Sequence, residues 1–119
     1  MLFSAAVTGI SCSPANNSHI TLQDNGAFAR TIAEPGIQIV DVRTPGEFKE
    51  GHIPNAINMD VTETNFDRQT QSLDTLRPVA VYCRSGRRSK LAARKLAEAG
   101  FQVYELDRGI MHWNGTIEK

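Results

Sequence analysis

Short β-branched runs recur along this chain, and each is followed by a stretch whose apolar residues fall at helical spacing. His19-Ile20-Thr21-Leu22 reads as a first strand. A helix from Ala27 to Glu34 follows, with Ala27, Phe28 and Ile32 on one side, and Pro35-Gly36 stops it. Ile37-Gln38-Ile39-Val40-Asp41-Val42 is the strongest strand pattern. Thr44 offers an N-cap, Pro45 a first helical residue and Glu47 the third-position partner of a capping box. That short helix carries Phe48 and ends at Gly51. Ala56 to Met59 reads as a short strand, and the polar stretch from Asp60 to Thr75 admits a helix over 64–73. Val79-Ala80-Val81-Tyr82 is a further buried strand. A helix from about Ser89 to Ala99 follows, with Ala92, Leu96 and Ala99 on one face and Gly100 as its stop. Gln102 to Leu106 is the last strand, and Ile110 to Asn114 a final helical turn. Strands alternating with helices at these intervals predict an α/β fold whose largely parallel sheet is covered on both faces.

A chain of 119 residues accommodates one core. The domain is expected over 19–119, with 1–18 as an extension of different character. Thirteen basic side chains balance thirteen acidic ones, so no global charge points to nucleic acid or to a membrane surface. The local picture differs: Arg84, Arg87, Arg88, Lys90, Arg94 and Lys95 crowd together, which suits a small anion. Two cysteines, Cys12 and Cys83, are too few for a disulfide framework or a zinc site, and no metal or cofactor is expected.

Cys12 follows the apolar, small-residue run Leu2 to Ser11 and precedes the polar run Ser13 to Ser18. This resembles the end of a bacterial lipoprotein signal, with Cys12 as a candidate lipid anchor. It departs from one in lacking a preceding Lys or Arg and in having Gly9 where Leu is usual. The alternative is a loosely packed extension. The first reading places the protein in the cell envelope, the second in the cytoplasm. Elsewhere no run approaches the ~20 apolar residues that a membrane span needs.

The chemistry concentrates in Tyr82-Cys83-Arg84-Ser85-Gly86-Arg87-Arg88-Ser89, where a buried strand ends and a helix begins. Ligands of open α/β sheets bind at the carboxyl ends of strands. A short loop leading into a helix aims several backbone N–H groups at one point, and Gly86 removes the Cβ that would obstruct the turn. A thiol there is expected to ionise below the ordinary ~8.5. Cysteine alone would read as a small buried hydrophobe at a strand end; with Arg-Ser-Gly-Arg-Arg after it, the nucleophile reading prevails.

Cys83-Arg84-Ser85-Gly86-Arg87-Arg88 resembles the six-residue active loop of rhodanese domains. Val40-Asp41-Val42-Arg43 with Glu47-Phe48, then Glu50-Gly51-His52-Ile53-Pro54-Asn55-Ala56, is similar to that family's upstream signature, and Gly109 with Trp113 to its closing motif. The likeness spans about 20–114. It implies a five-stranded, largely parallel sheet flanked by helices on both faces. It also implies a sulfurtransferase in which Cys83 attacks the outer sulfur of thiosulfate or a similar donor, releases sulfite, and passes the sulfur from a persulfide to cyanide, a thiol or a protein acceptor. Arg84, Ser85, Gly86, Arg87 and Arg88 are then the donor-binding residues, Asp41 and Arg43 supporting ones, and a monomer without cofactor is expected. Two positions depart from the family pattern. Arg108-Gly109 replaces a pair of glycines, and Asn55 replaces a frequent glycine at a place where Asn tolerates left-handed backbone.

Several residues also have structural readings. Asp41 and Arg43 read chiefly as a pair closing a strand end, with orientation of the loop as the functional alternative. Glu47 reads as a cap partner and His52 as a hydrogen-bonded framework residue, while His19 and His112 lack a metal-site pattern. Phe48 and Trp113 read as core or pocket wall. Two rival functions stand beside sulfur transfer. Phosphatases and arsenate reductases of the related fold need Cys-x5-Arg, but the residue that follows Arg88 is Ser89, so this loop is one residue short. The other rival is a dedicated sulfur carrier or binding module for one protein partner.

Overall fold

The structure is a computed structural model that describes residues 19–119. The expected extension 1–18, Cys12 included, lies outside the described residues. The elements are β1 (Ile20–Gln23), α1 (Asn25–Ile32), β2 (Gln38–Asp41), α2 (Pro45–Glu50), β3 (Ile57–Asn58), α3 (Phe66–Thr70), β4 (Val79–Tyr82), α4 (Arg88–Glu98) and β5 (Val103–Leu106), then a 3-10 turn at Ile110–His112. Five strands form one sheet in the order β1-β5-β4-β2-β3, and every neighbouring pair is parallel. Val40 lies opposite both Ile57 and Val81, and Val79 lies opposite Val103.

The strand period of two sorts the side chains into two cores. Val40, Val42, Val79, Val81, Cys83 and Val103 point to the face covered by Ala92, Ala93, Leu96 and Ala97 of α4 and Phe66 of α3. Ile39, Ala80, Tyr82 and Leu106 point to the other face, against Phe28 and Ile32 of α1 and Trp113 beyond the 3-10 turn. Both faces of β2 and β4 are covered, which explains why all four residues of each strand are buried.

Local chemistry sets the helix boundaries. Asp24 caps α1 by accepting from the Ala27 N–H at 2.9 Å. Thr44 and Glu47 form the expected capping box on α2, and Pro45 occupies its first turn. The buried stripe of α4 is Ser89, Ala92, Ala93, Leu96 and Ala97. Ala99, expected on that face, is exposed instead: the helix ends at Glu98, and Phe101 takes up the core position one turn beyond Leu96. Asn55 does adopt left-handed backbone, at φ 70.

The topology directs attention to one end of the sheet. β2 leads outward to β3 on one side, and β4 leads outward to β5 on the other. The crevice beyond the carboxyl ends of β2 and β4 is therefore the switch point where α/β sheets bind ligands. Cys83 is the first residue past β4 at that crevice.

Candidate active site

The loop 83–87 between β4 and α4 is clamped from behind by the turn at 107–109. The Ile110 N–H donates to the Cys83 carbonyl at 2.9 Å, and the Met111 N–H to the Arg84 carbonyl at 3.0 Å. Two glycines permit this approach. Gly86 has φ 95, and a Cβ there would run into the Asp107 carbonyl; Gly109 has φ 71, and its Cβ would run into the Arg84 carbonyl. Arg108 sits between them in ordinary backbone and is exposed, so its replacement of a family glycine brings no strain and adds a charge near the loop.

The clamped loop converges on sulfur. Cys83 Sγ accepts from the Gly86 N–H at 3.1 Å and the Ser89 N–H at 3.3 Å, and the Ser85 N–H also faces it. Ser89 Oγ lies 3.5 Å away. The position before α4 is Arg87, whose side chain makes no capping bond. The sulfur takes that role, satisfying an N–H of the helix's first turn that would otherwise lack a partner. Burial pushes the Cys83 thiol up, since the residue has no exposed surface. The Ser89 hydroxyl and the N–H groups of Ser89, Gly86 and Ser85 outweigh that, and the thiol ionises below its ordinary value.

The basic cluster divides into paired and unpaired members. Arg88 is bound by both oxygens of Glu47, at 2.8 and 3.0 Å, which ties α4 to α2 across the switch point. This pair, with the Thr44 cap, holds the Glu47 carboxyl down to about 2 against the opposing effect of its burial. Lys90 pairs with the buried Glu105 at 2.7 Å, and Lys95 with Asp67 at 3.3 Å. Among the described residues, Arg84 and Arg87 make no ion pair, and both are exposed together with Ser85 on the rim above Cys83. Of the expected donor-binding residues, then, Arg84 and Arg87 have free guanidinium groups, Gly86 acts through its N–H, and Arg88 is committed to Glu47.

Asp41 and Arg43 are brought to each other. Arg43 Nη2 meets Asp41 Oδ2 at 2.6 Å, and the same nitrogen donates to the Gly51 carbonyl. The pair lies against Tyr82, whose ring is 5.8 Å from the guanidinium and whose hydroxyl accepts from the Ile53 N–H. Burial, reinforced by Asp41, pushes the Tyr82 phenol far above its ordinary range. Neither Asp41 nor Arg43 is hydrogen-bonded to the loop 83–87. His52 stacks on Phe48 at 3.8 Å, its Nδ1 is 2.9 Å from the Phe48 carbonyl, and its backbone bridges to Glu118, as a framework residue would.

Sequence reasoning includes Ser89 in the informative stretch and Lys90 in the basic cluster without giving either a role, and it misses Glu105 altogether. The available signal was a carboxylate at an inward position of β5, where Val103 and Leu106 mark a buried strand.

The α/β domain thus presents, at a strand-to-helix junction, a buried thiol ringed by backbone donors on a loop that also carries two unpaired, exposed arginines. The profile of the Rhodanese-like domain family matches residues 24–116, and the chain belongs to that family. The chain is 36% identical over 90 residues to the thiosulfate sulfurtransferase GlpE of Pseudomonas syringae, covering 74% of this chain and 82% of that protein. It is 35% identical over 82 residues to the uncharacterised protein YqhL of Bacillus subtilis, covering 68% of this chain but only 64% of the relative. Among solved structures, the BH2092 protein of Bacillus halodurans superposes with a TM-score of 0.72 at 33% identity, covering 82% of this chain and 76% of that one.

Proposed function

We propose that this protein is a sulfurtransferase that carries sulfane sulfur on Cys83, taking it from thiosulfate or a similar dianionic donor. The observation that supports the reading most is the convergence of the Gly86 and Ser89 N–H groups on Sγ at 3.1 and 3.3 Å. The Cys83 thiolate attacks the outer sulfur of the donor. An S–S bond forms to Cys83, the bond to the sulfite sulfur breaks, and sulfite leaves with the electron pair. One negative charge stays on the outer persulfide sulfur and two leave on sulfite, so charge balances. Arg84 and Arg87 draw the dianion to the rim and stabilise the departing sulfite. Attack by cyanide or a thiolate on the outer sulfur then returns Cys83 to its thiolate. No general base is required, because the cradle favours the ionised thiol from the start. Cys83 has no exposed surface, so the donor reaches the sulfur only as the side chains over it move aside.

A phosphate ester fits this arrangement poorly. The position that would need an arginine to clamp a tetrahedral oxyanion is Ser89, and the arginine one place earlier, Arg88, is held by both oxygens of Glu47. The test is mass spectrometry of the protein after incubation with thiosulfate, followed by peptide mapping. A mass gain of one sulfur atom on Cys83, absent from Cys83→Ser, is expected, and cyanide should remove it with release of thiocyanate. Absence of the added sulfur in the folded wild-type protein would sink the proposal. Loading without turnover on cyanide or small thiols would instead mark a carrier for one protein acceptor.

A further inference from the structure

Glu105 is a charge that the sulfur chemistry leaves unexplained. It lies in β5 on the face that α4 covers and is 1% exposed. A carboxylate in such a place is costly unless it is well partnered. Its Oε2 is partnered twice, accepting from Ser89 Oγ at 2.8 Å and from Lys90 Nζ at 2.7 Å. Lys90 also donates to the Gly86 carbonyl at 3.1 Å and lies 3.7 Å from Asp107 Oδ1. On its other side, Ser89 Oγ is 3.5 Å from Cys83 Sγ. A continuous line of polar contacts thus joins the reacting sulfur to a buried ion pair.

The Ser89 hydroxyl has one hydrogen and two acceptors in reach. Given to Glu105, the hydrogen leaves oxygen lone pairs facing the sulfur, where they accept from the thiol S–H and favour the neutral form. Given to Sγ, it favours the thiolate. The carboxylate is the stronger acceptor because its bond is charge-assisted, so Glu105 competes with the sulfur for the hydrogen and limits how far the hydroxyl favours the thiolate. Lys90 weakens that pull by neutralising the carboxylate. We propose that Glu105 and Lys90 are positioning residues that set the orientation of the Ser89 hydroxyl, and through it how readily Cys83 gives up its proton. The functional consequence rests on the sulfurtransferase reading, whereas the titration of the thiol does not. The other charged groups around this line are Arg94 of α4, which lines the groove beside Glu105, and Arg88, which faces Glu47 of α2 and Asp60. β1 presents only Ile20 and Leu22 to the same groove. None of these groups is hydrogen-bonded to Ser89.

The experiment uses the full chain carrying Cys12→Ser, so that Cys83 is the single thiol, and follows thiolate ultraviolet absorbance against pH. Glu105→Gln keeps the shape, removes the charge and offers Ser89 an amide donor. Its midpoint should fall by about half a pH unit or more, a change in the ionisation constant of about threefold. Lys90→Met should raise the midpoint. In a Ser89→Ala background both shifts should shrink to less than half, because the mediator is gone. Unchanged midpoints in both folded single variants would overturn the proposal. So would shifts that persist at full size in Ser89→Ala, since the charges would then act through space. If Glu105→Gln does not give a folded protein by circular dichroism, Lys90→Met with and without Ser89→Ala decides alone. Variants that titrate as expected while Cys83 takes no sulfur from thiosulfate would support this proposal and sink the sulfurtransferase reading.

Discussion

Replacing Gly86 by Ala asks whether the shape of the cradle is held by its contact with the 107–109 turn. Gly86 has φ 95, where an L-residue costs ~1–2 kcal/mol. The new Cβ would also run into the Asp107 carbonyl and lie 3.6 Å from the Arg108 Cα. Backbone cannot swing aside as a flexible side chain can, and the Asp107 N–H is itself tied to the Gln23 carbonyl at 2.9 Å. Overpacking of this kind typically costs a further ~1–3 kcal/mol. Gly36→Ala is the matching control: its φ is 85, and nothing lies within 4 Å of the added carbon, so only the backbone cost applies. Urea unfolding of the two variants should therefore show Gly86→Ala losing about 2 kcal/mol more than Gly36→Ala. Its thiol should also ionise at higher pH, because the Gly86 N–H is displaced from Sγ. Equal losses in the two variants would refute the argument that the turn clamps the loop.

Cys12→Ser should leave persulfide formation by thiosulfate unchanged in mass spectrometry, because sulfur transfer is assigned to Cys83 alone. Arg43→Met should lower stability by about 3 kcal/mol or more in urea unfolding, because it strands the buried Asp41 carboxylate. The same variant should load sulfur normally below its unfolding transition, because neither residue is bonded to the loop. Glu47→Gln should flatten the acid side of the stability profile. The folded Glu47 carboxyl titrates at about 2, below the ordinary ~4.3, so its contribution is present above that ordinary value and is lost as pH falls toward the folded one. The partial exposure of the pair limits the effect to about 1 kcal/mol. Wild-type protein offered an aryl phosphate should release no phenol at a rate approaching sulfur transfer, and faster hydrolysis than sulfur transfer would refute the loop-length argument.

The periodicity of the chain is enough for the sheet because both faces of β2 and β4 are covered, so β4 reads as an unbroken apolar run and β2 as a β-branched run broken only by Gln38 and Asp41. The capping box at Thr44 and Glu47 and the left-handed Asn55 were legible for the same reason: each is a local rule that tertiary structure had no cause to override. The stretch 60–75 was read less well. Val61, Phe66 and Leu73 enter the core from a polar segment, and the buried period Phe66, Thr70, Leu73 is half hidden by a threonine, so the helix expected over 64–73 is confined to Phe66–Thr70. The loop 83–88 stood out through its composition, but the use of its arginines did not. Whether Arg88 faces an anion or Glu47 depends on α2 lying beside the start of α4, a contact across 41 positions of sequence. Glu105 was hidden similarly: its partners Ser89 and Lys90 come from the helix that precedes its strand.

On the sulfurtransferase reading proposed above, these pairings bear on how a single sulfur would serve as nucleophile, as carrier and as leaving group. Lowering a thiol's pKa raises the thiolate fraction, but it also lowers the thiolate's intrinsic nucleophilicity, so the best attacking thiol ionises near ambient pH. Three free arginines, a helix terminus and several N–H groups together would overshoot that optimum. In this site the donors in direct contact with sulfur are mainly neutral backbone dipoles, which hold an anion without titrating. Arg88, whose charge is felt by Cys83, is neutralised by Glu47, and Lys90 is neutralised by Glu105. Arg84 and Arg87 keep their charge on the exposed rim, where water screens it from the resting sulfur and an arriving dianion can still meet it. The charge budget of the loop is thus divided by depth: dipoles at the sulfur, neutralised pairs beside it, and free guanidinium groups at the mouth. A thiolate stabilised this way remains reactive toward the donor. It also remains a competent leaving group when an acceptor takes the outer sulfur, because it departs into the cradle that held it.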